Sequence, residues 1–283
     1  MATTLVQDLI EAGIHFGQRS SGWNPRMEPY IYGKRNGIHI IDIKETVKGL
    51  LLAKKFITRT VADGKDVCFV GTKRQAKGVI EQRVGDAKMH YVTERWLGGT
   101  LTNFRTIRSR LKRLEELEAI EANDNFQSYS KKMESQLRRE MRKIKRNLDG
   151  IRNMSKLPGC IVVIDVRRET TALKEARKLG IPTICLIDTD ANPEDADIPI
   201  PGNDDSMRSI DVVIRELCLA VSDGKQARQT VASDEGEDDQ TAGEPTRRRS
   251  SRSQFRADDS NATTPEAGAD ATAQTPEAAP AES

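Results

Sequence analysis

Apolar residues follow two alternating patterns along this chain. Short, almost wholly apolar runs occur at residues 66–71, 160–165 and 183–188, and polar or turn-forming residues bound each of them. Between these runs, apolar residues repeat at intervals of three and four, as in amphipathic helices. Apolar strands that alternate with such helices are typical of a parallel sheet covered on both faces. The pattern therefore predicts a doubly wound, flavodoxin-like α/β fold of three layers.

Weaker signals complete this α/β domain. Three further strands are predicted at residues 38–43, 90–93 and 198–201, and the prolines of the last run place it at a sheet edge. A short first helix carries Leu5 and Leu9, and a final amphipathic helix is predicted to begin near residue 206.

The segment from His15 to Gly37 has a different composition. It is dense in Gly, Pro, Asn and basic residues, and aromatic residues are interleaved with them. This composition predicts an ordered loop held by its aromatic side chains. For Trp23 and Tyr30, packing in the core is favoured over stacking on nucleic-acid bases.

The α/β pattern is interrupted once, between residues 103 and 156. Two stretches there repeat apolar residues at spacings of three and four, and a polar turn at Asn123–Asn125 separates them. Each stripe is narrow, as expected for two helices that pack along a single seam. The interruption therefore predicts an inserted antiparallel coiled-coil hairpin. Its seam residues are Ile107 and Leu111 on the outgoing helix and Ile144 and Leu148 on the returning helix.

These patterns divide the chain into three parts. Residues 1–102 and 157–223 form the α/β domain, residues 103–156 form the hairpin, and residues 224–283 form a C-terminal tail. The tail is acidic and rich in Ser, Thr, Ala, Pro and Glu, with Phe255 as its single aromatic residue. Such a segment buries too little apolar surface to offset its ordering entropy, so it is predicted to be disordered. Its basic run, Arg247–Arg252, is interpreted as a solvated charge cluster.

Charge is strongly segregated, although the formal net charge is only +2 over 283 residues. Residues 103–156 carry 15 basic and 8 acidic residues, whereas the part from Gln226 onwards carries 6 and 12. A surface of one sign favours a polyanion, either nucleic acid or an anionic membrane. No apolar run approaches the roughly 20 residues of a membrane span, and the N-terminus lacks the pattern of a signal peptide.

The four cysteines stand singly within apolar segments. They are predicted to be buried, reduced thiols of a cytoplasmic protein, because no two of them have the spacing of a metal or disulfide pair: Cys68, Cys160, Cys185 and Cys218.

Candidate chemistry is confined to the polar ends of the predicted strands. The run Gly71–Arg74 places backbone N–H groups and two cations at a helix start, which suits an anion, but it lacks both common nucleotide-binding motifs. Residues 165–169 form a second polar strand end.

A third strand end is rich in carboxylates. Asp188 and Asp190, with Asp195 and Asp197 nearby, suit a Mg²⁺ ion or an aspartyl nucleophile. Turn capping before Pro193 is the favoured interpretation. None of the histidines has a partner at catalytic or metal spacing, so no enzyme, cofactor or metal is predicted. A Mg²⁺-dependent phosphohydrolase that uses Asp188 and Asp190 stays open as the alternative.

Several longer motifs carry a family resemblance. They are HFG (15–17) with WNP (23–25), PYIYGKRNGIHIIDI (29–43), FVGTKRQA (69–76), RWLGGTLTNF (95–104), LPGCIVVID (157–165), IDTDANP (187–193) and IPGNDD (200–205). In this order, from about Leu5 to Asp223, the chain resembles the bacterial small-subunit ribosomal protein S2 family.

The resemblance implies a structural protein that binds rRNA in the small ribosomal subunit, between its head and body on the solvent side. It also implies a five-stranded parallel sheet and a role in docking the large mRNA-binding ribosomal protein S1. Gln18 and Arg168 stand where some members carry histidines. This departure leaves open any metal site that the family forms through those positions.

Charge segregation and resemblance together predict which cations contact rRNA phosphates, since such contacts supply affinity while RNA shape supplies register. The predicted set is Arg19, Arg26, Lys34, Arg35, Lys73, Arg74, Arg95, Arg105, Arg108, Arg110, Lys112 and Arg113.

Overall fold

A computed structural model describes residues 2–123 and 130–238, with the surroundings of side chains from Leu5 to Asn123 and from Ser130 to Thr230. Its strands are β1 (Phe16–Arg19), β2 (Ile31–Arg35), β3 (Ile38–Ile41), β4 (Val67–Val70), β5 (His90–Val92), β6 (Cys160–Ile164), β7 (Thr183–Ile187) and β8 (Ile198–Pro201). Its α-helices are α1 (Ala2–Glu11), α2 (Ile43–Ala62), α3 (Arg74–Asp86), α4 (Phe104–Ala122), α5 (Lys131–Leu148), α6 (Thr170–Leu179) and α7 (Met207–Asp238).

The main sheet has five parallel strands in the order β5-β4-β6-β7-β8. Counted along the chain, this order is 2-1-3-4-5, which is that of flavodoxin-like folds. Every residue of β4, β6 and β7 is buried, because helices cover both faces of the sheet. The predicted fold class is confirmed.

Residues 15–41 depart from the prediction. Strands β1, β3 and β2 form a separate antiparallel sheet, so the assignment of residues 38–43 to the parallel sheet was wrong, and residues 15–37 are more than a loop. In β3, His39 and Ile41 are buried whereas Ile38 is exposed. Such alternation marks a strand with one solvated face, which antiparallel sheets allow.

A tight turn at Asn36-Gly37 joins β2 to β3. Both residues have positive φ, 51° and 79°, and Arg35 pairs directly with Ile38. Asn-Gly between two strands is a strong hairpin signal, because this turn type requires positive φ at both central positions. The signal stood in the sequence and was missed there.

The two faces of the main sheet build two cores. Alternate residues of β4 divide between them: Val67 and Phe69 lie in the first core, and Cys68 and Val70 in the second. Side chains of α2, α3 and α7 cover the first face, whereas α6 and the inner ends of α4 and α5 cover the second. The cysteines in the described part of the chain are free and buried, as predicted. Burial raises the pKa of the Cys68 and Cys160 thiols to about 12.

Helices α4 and α5 pack along the predicted seam. Ile107, Leu111 and Leu148 are buried next to the sheet, and Ile144 is partly buried. Farther along both helices, Leu114 and Leu117 meet Met141 in a third cluster. This order of clusters is that of two helices running in opposite directions. Supercoiling of the pair stays a prediction, and residues 124 and 125 of the predicted turn lie outside the described residues.

The last helix continues farther than expected. Helix α7 extends to Asp238, so the residues after Gly224 that were assigned to the tail begin as helix. Residues 239–283, the remainder of the predicted tail, lie outside the described residues. None of the described helices has the length and hydropathy needed to cross a bilayer.

Two glycine substitutions test how closely the base of the hairpin packs against the edge of the main sheet. A Cβ atom on Gly150, just after α5, would overlap the carbonyl oxygen of Tyr91 in β5, whereas one on Gly78 in α3 would meet nothing within 4 Å. We expect Gly150→Ala to lower the free energy of unfolding by about 1–3 kcal/mol through overpacking. Gly78→Ala should raise it by about 0.4–1 kcal/mol through helix propensity. Urea denaturation measures both, and equal effects would contradict the close packing at Gly150.

Candidate nucleic-acid interface

A basic groove runs along the junction between α5 and the loop that follows β5. Arg95 lies there beside Arg139, Arg142, Lys143 and Arg146 of α5, in a hollow of about 720 Å³. A neighbouring hollow shares Lys143 with it and adds Arg110 of α4. We call these six cations the basic groove. On α5, residues 139, 142, 143 and 146 share one helix face because they are three and four positions apart.

Most cations of the basic groove have no carboxylate partner among the described residues. Arg142 donates a hydrogen bond only to the backbone oxygen of Arg138, at 3.3 Å. Arg146 is the exception, since its guanidinium binds Glu94 through two hydrogen bonds of 2.8 and 2.9 Å. Unpaired cations held side by side repel one another and attract a polyanion, because its phosphates can neutralise several of them together.

The α5 cations were missed in the sequence-based set, which within the hairpin named residues of α4 alone. The signal was the run from Arg138 to Arg146, which holds six basic residues in nine positions. Its spacing places four of them on one face, whereas on α4 Arg105, Arg108 and Lys112 share a face and Arg110 lies on another.

Four predicted contacts lie on or beside the small sheet. Arg19, Lys34 and Arg35 are exposed, and Arg19 and Arg35 both pair with Ile38 across the sheet. Arg26 is exposed but binds Glu194. The structure thus brings Arg19, Lys34 and Arg35 together near one end of the sheet.

The predicted contacts on α4 differ in exposure and in their partners within the protein. Arg105, Arg110 and Lys112 are exposed. Arg108 is partly buried and donates to the backbone oxygen of Met154, and Arg113 pairs with Glu116 at 3.0 Å. These last two side chains are therefore partly engaged within the protein. Two predicted contacts remain, and both lie at the start of α3. Arg74 is exposed there, whereas Lys73 is buried.

Lys73 was expected to contact RNA, and its surroundings argue against this. Its side chain is only 9 % exposed, and Nζ lies 2.8 Å from Asp204, 2.6 Å from Asp205 and 3.6 Å from Asp165. Burial disfavours the charged amine, but hydrogen bonds to Asp204 and Asp205 outweigh burial and raise its pKa above the usual value. Lys73 thus neutralises internal carboxylates, so we remove it from the interface.

The strand-end carboxylates are also used internally. Asp188, Asp204 and Asp205 lie close enough to share a cation, but Gln18 already donates to Asp188 at 3.3 Å and to Asp205 at 2.6 Å. The Lys73 ammonium also binds Asp204 and Asp205, so the carboxylate oxygens of this group already have hydrogen-bond donors from the chain itself. We therefore assign no metal to it.

The carboxylate cluster expected from the sequence does not form. Asp190 binds Arg167 at 2.6 Å, Asp195 lies near Arg177, and Asp197 accepts hydrogen bonds from Thr183. The side chain of Asn192 caps the turn at Glu194, as the turn interpretation required.

The expected anion site at residues 71–74 holds one of the chain's own carboxylates. The Thr72 backbone N–H donates to Glu169 at 3.0 Å, and Arg168 donates to the Thr72 hydroxyl at 3.0 Å. This carboxylate satisfies the donor that an external anion would need.

Three apolar side chains of the small sheet are exposed, and we call them the apolar patch. Phe16 is 50 % exposed, Tyr32 80 % and Ile38 38 %. Trp23 is partly buried and lies against the ring of His39, with centroids 4.9 Å apart, so its place in the core stays a prediction. Tyr30 packs against the second core, as expected. Tyr32 was not singled out in the sequence.

Comparison with known proteins shows a consistent likeness. Residues 9–224 match the family model described as "Ribosomal protein S2". Small ribosomal subunit protein uS2 of Rhodopirellula baltica is 56% identical over 232 residues, covering 82% of this chain and 89% of the relative. Protein uS2c of Porphyra purpurea is 48% identical over 225 residues (80% and 93% covered), and uS2 of Synechocystis is 46% identical over 240 (85% and 89%).

These relatives are named as ribosomal proteins and not as enzymes. The expectation of a non-catalytic protein is confirmed by this likeness, and the phosphohydrolase alternative based on Asp188 and Asp190 is dropped.

Asp188 provides a test of the internal carboxylate group. Its side chain is 1 % exposed, and burial raises its pKa from 3.8 to about 6, although the Thr189 N–H opposes the shift. Because the folded chain then binds this proton more tightly than the unfolded chain, the free energy of unfolding should fall as pH rises from about 4 to about 7. The shift corresponds to about 3 kcal/mol.

Asp188→Asn should remove this contribution and flatten the dependence of unfolding free energy on pH, measured by urea denaturation at several pH values. Glu11→Gln, on an exposed side chain of α1, is the control and should keep the wild-type dependence. An unchanged dependence in Asp188→Asn would show that Asp188 does not titrate in this range.

Proposed function

Because the chain belongs to the ribosomal protein S2 family, we propose that it is a structural protein of the small ribosomal subunit that binds rRNA. The matched region, residues 9–224, contains both sheets and the hairpin. The relatives carry the name of the small subunit, and this supports the same assembly here. Its place of action is then the cytoplasm, in translation.

The basic groove is the observation that carries rRNA binding. Arg95, Arg110, Arg139 and Lys143 form no ion pair within the described part of the chain, and they line two hollows that share Lys143. Arginine and lysine held in this way contact phosphates and position the protein on a folded RNA without reading its sequence. Arg19, Lys34 and Arg35 on the small sheet offer a second basic surface.

Two of the three predicted parts of the chain have distinct roles in the basic groove. The α/β domain, residues 1–102 and 157–223, supports the hairpin, residues 103–156, and the hairpin presents most of the basic groove. Arg95 is the one groove cation that the α/β domain supplies.

The apolar patch supports docking of a neighbouring protein, for which the family resemblance suggests ribosomal protein S1. Phe16, Tyr32 and Ile38 expose apolar surface on one small sheet, and Arg19 and Arg35 flank Ile38. Large exposed apolar side chains of this kind are common at protein interaction surfaces. The flanking arginines suit a partner segment that is apolar in its centre and acidic at its ends.

Charge removal on α5 tests the basic groove. We expect the triple variant Arg139→Gln, Arg142→Gln, Lys143→Gln to weaken binding to a folded fragment of small-subunit rRNA. The slope of log K against log salt should become shallower by roughly 2–3, because each lost phosphate contact contributes about 0.7–0.9. Filter binding across a salt series measures both quantities.

The control is a triple variant on α2, Lys44→Gln, Lys55→Gln, Arg59→Gln, which changes the net charge equally at exposed positions far from the groove in sequence. It should retain most of the wild-type slope. An equal loss in both triple variants would mean that net charge, and not the basic groove, determines binding.

Phe16→Ser tests the apolar patch. Truncating a central aromatic residue of an interface should weaken binding of ribosomal protein S1 by about tenfold or more. rRNA binding should be unchanged, because the substitution removes no charge. Surface plasmon resonance with purified S1 measures the first effect, and Leu51→Ser, on an exposed leucine of α2, is the matched control. Equal binding by both variants would place the docking surface elsewhere.

A further inference from the structure

A buried carboxylate on α6 meets the loop that leads into the hairpin. Glu175 is only 8 % exposed, and its side chain accepts hydrogen bonds from residues more than seventy positions earlier. The Oε1 atom accepts from the Trp96 indole N–H at 3.2 Å and from the Gly99 N–H at 2.7 Å. The Oε2 atom accepts from the Leu101 N–H at 3.0 Å and from the N–H and hydroxyl of Thr102 at 3.2 and 3.3 Å.

Five donors from one short loop thus converge on a single carboxylate. Burial alone would raise the pKa of Glu175, but the backbone N–H groups of Gly99, Leu101 and Thr102 outweigh burial, and the pKa lies below its ordinary value. Hydrogen bonds to an ionised acceptor are stronger than those between neutral groups. Gly99 has φ of 90°, which lets the loop curl around the carboxylate.

The loop lies directly before α4, which lacks a cap of its own. Asn103 makes no side-chain cap hydrogen bond, and the first turn of α4 contains no acidic residue. The start of the outgoing helix is therefore held through the preceding loop. The returning helix is held separately, by the close contact of Gly150 with Tyr91 in β5. The hydrogen bond from Arg108 of α4 to the Met154 backbone oxygen joins the outgoing helix to the segment that follows α5.

The basic groove spans this junction. Arg95 immediately precedes Trp96, whose indole binds Glu175, whereas Arg139, Arg142 and Lys143 belong to the hairpin. A change in the direction of the hairpin would separate Arg95 from the α5 cations, so the groove is complete only in one placement of the hairpin.

We propose that Glu175 is a positioning residue, whose carboxylate anchors residues 96–102, sets the direction in which the hairpin leaves the α/β domain and so assembles the basic groove. This role rests on the proposed rRNA binding, because the affinity of the basic groove for rRNA is the quantity that reports it. Glu175 itself contacts no RNA.

Glu175→Gln tests the anchor in the full-length protein. Glutamine keeps the size and one acceptor oxygen, but its NH2 group cannot accept the two or three hydrogen bonds made to the carboxylate oxygen that it replaces. We expect amide hydrogen exchange at residues 99–102 and in the first turn of α4 to become at least about tenfold faster. Exchange in β4, β6 and β7 should be unchanged, which shows that the α/β domain is still folded.

rRNA binding then separates positioning from a purely structural role. At a temperature where the variant is fully folded, its affinity should fall about tenfold, and the slope of log K against log salt should become shallower by about 0.7–0.9, as for the loss of one phosphate contact. A structural role alone would lower the melting temperature and leave both the affinity and the slope unchanged. That result would overturn the proposal.

A double-mutant cycle with Arg95→Gln gives an independent check. If Glu175 acts by placing Arg95 beside the α5 cations, Arg95→Gln should cost little affinity in the Glu175→Gln background and clearly more in the wild type. Lys34→Gln, on the small sheet, should cost the same in both backgrounds. Additive effects for Arg95 would contradict the positioning role.

A second variant tests the anchor without changing Glu175 itself. If Glu175→Gln does not fold, Trp96→Phe removes one donor to the carboxylate, and it should change exchange and affinity in the same direction by smaller factors.

If the wild-type chain binds no rRNA, the proposed function fails, whereas the anchor itself is judged by hydrogen exchange alone. Unchanged exchange at residues 99–102 would then refute the anchor.

Discussion

The second face of the main sheet is the constraint on which the rest of the structure depends. A sheet whose strands are apolar on both sides must be covered on both sides, and here α6 covers only part of the second face. Ile107, Leu111 and Leu148 of the hairpin complete the cover beside Val70 and Val163. The hairpin is therefore rooted in the hydrophobic core, and a charged projection can keep a defined direction because its base is part of that core.

The same side-chain chemistry serves opposite purposes in two places. Lys73 is enclosed by three carboxylates and balances charge inside the α/β domain. Lys143 has no such partner in the described structure and lies among other cations. The difference lies in which carboxylates the fold brings near each cation, because a paired charge is neutralised within the chain whereas an unpaired one remains available to an external anion. Affinity for a polyanion thus depends on where acidic residues are missing.

Local patterns predicted much of the fold, and long-range pairing explains what they missed. The strands around Phe69, Val162 and Ile184 are almost wholly apolar, so their burial followed from the sequence. The seam of the hairpin followed equally from the spacing of its apolar residues. The partners of Lys73 lie about ninety and about one hundred and thirty positions away, so no local pattern could show that it is buried. Glu175 is similar, since its donors come from a different part of the chain. The Asn36-Gly37 turn was local and was overlooked.

The crevice between β4 and β6 distinguishes this chain from an enzyme of the same fold. In a 2-1-3-4-5 sheet the strand order reverses between β4 and β6, and ligands of such folds bind beyond the carboxyl ends of those strands. Here Thr72 and Lys73 after β4 bind Glu169 and Asp165 after β6, so side chains of the protein bridge the crevice. Those bonds join the two halves of the sheet where an enzyme of this fold would hold its substrate. In the function proposed above, binding takes place instead at the insertion between β5 and β6, where a long helical pair can present more cations to a large polyanion than a crevice between two strands can.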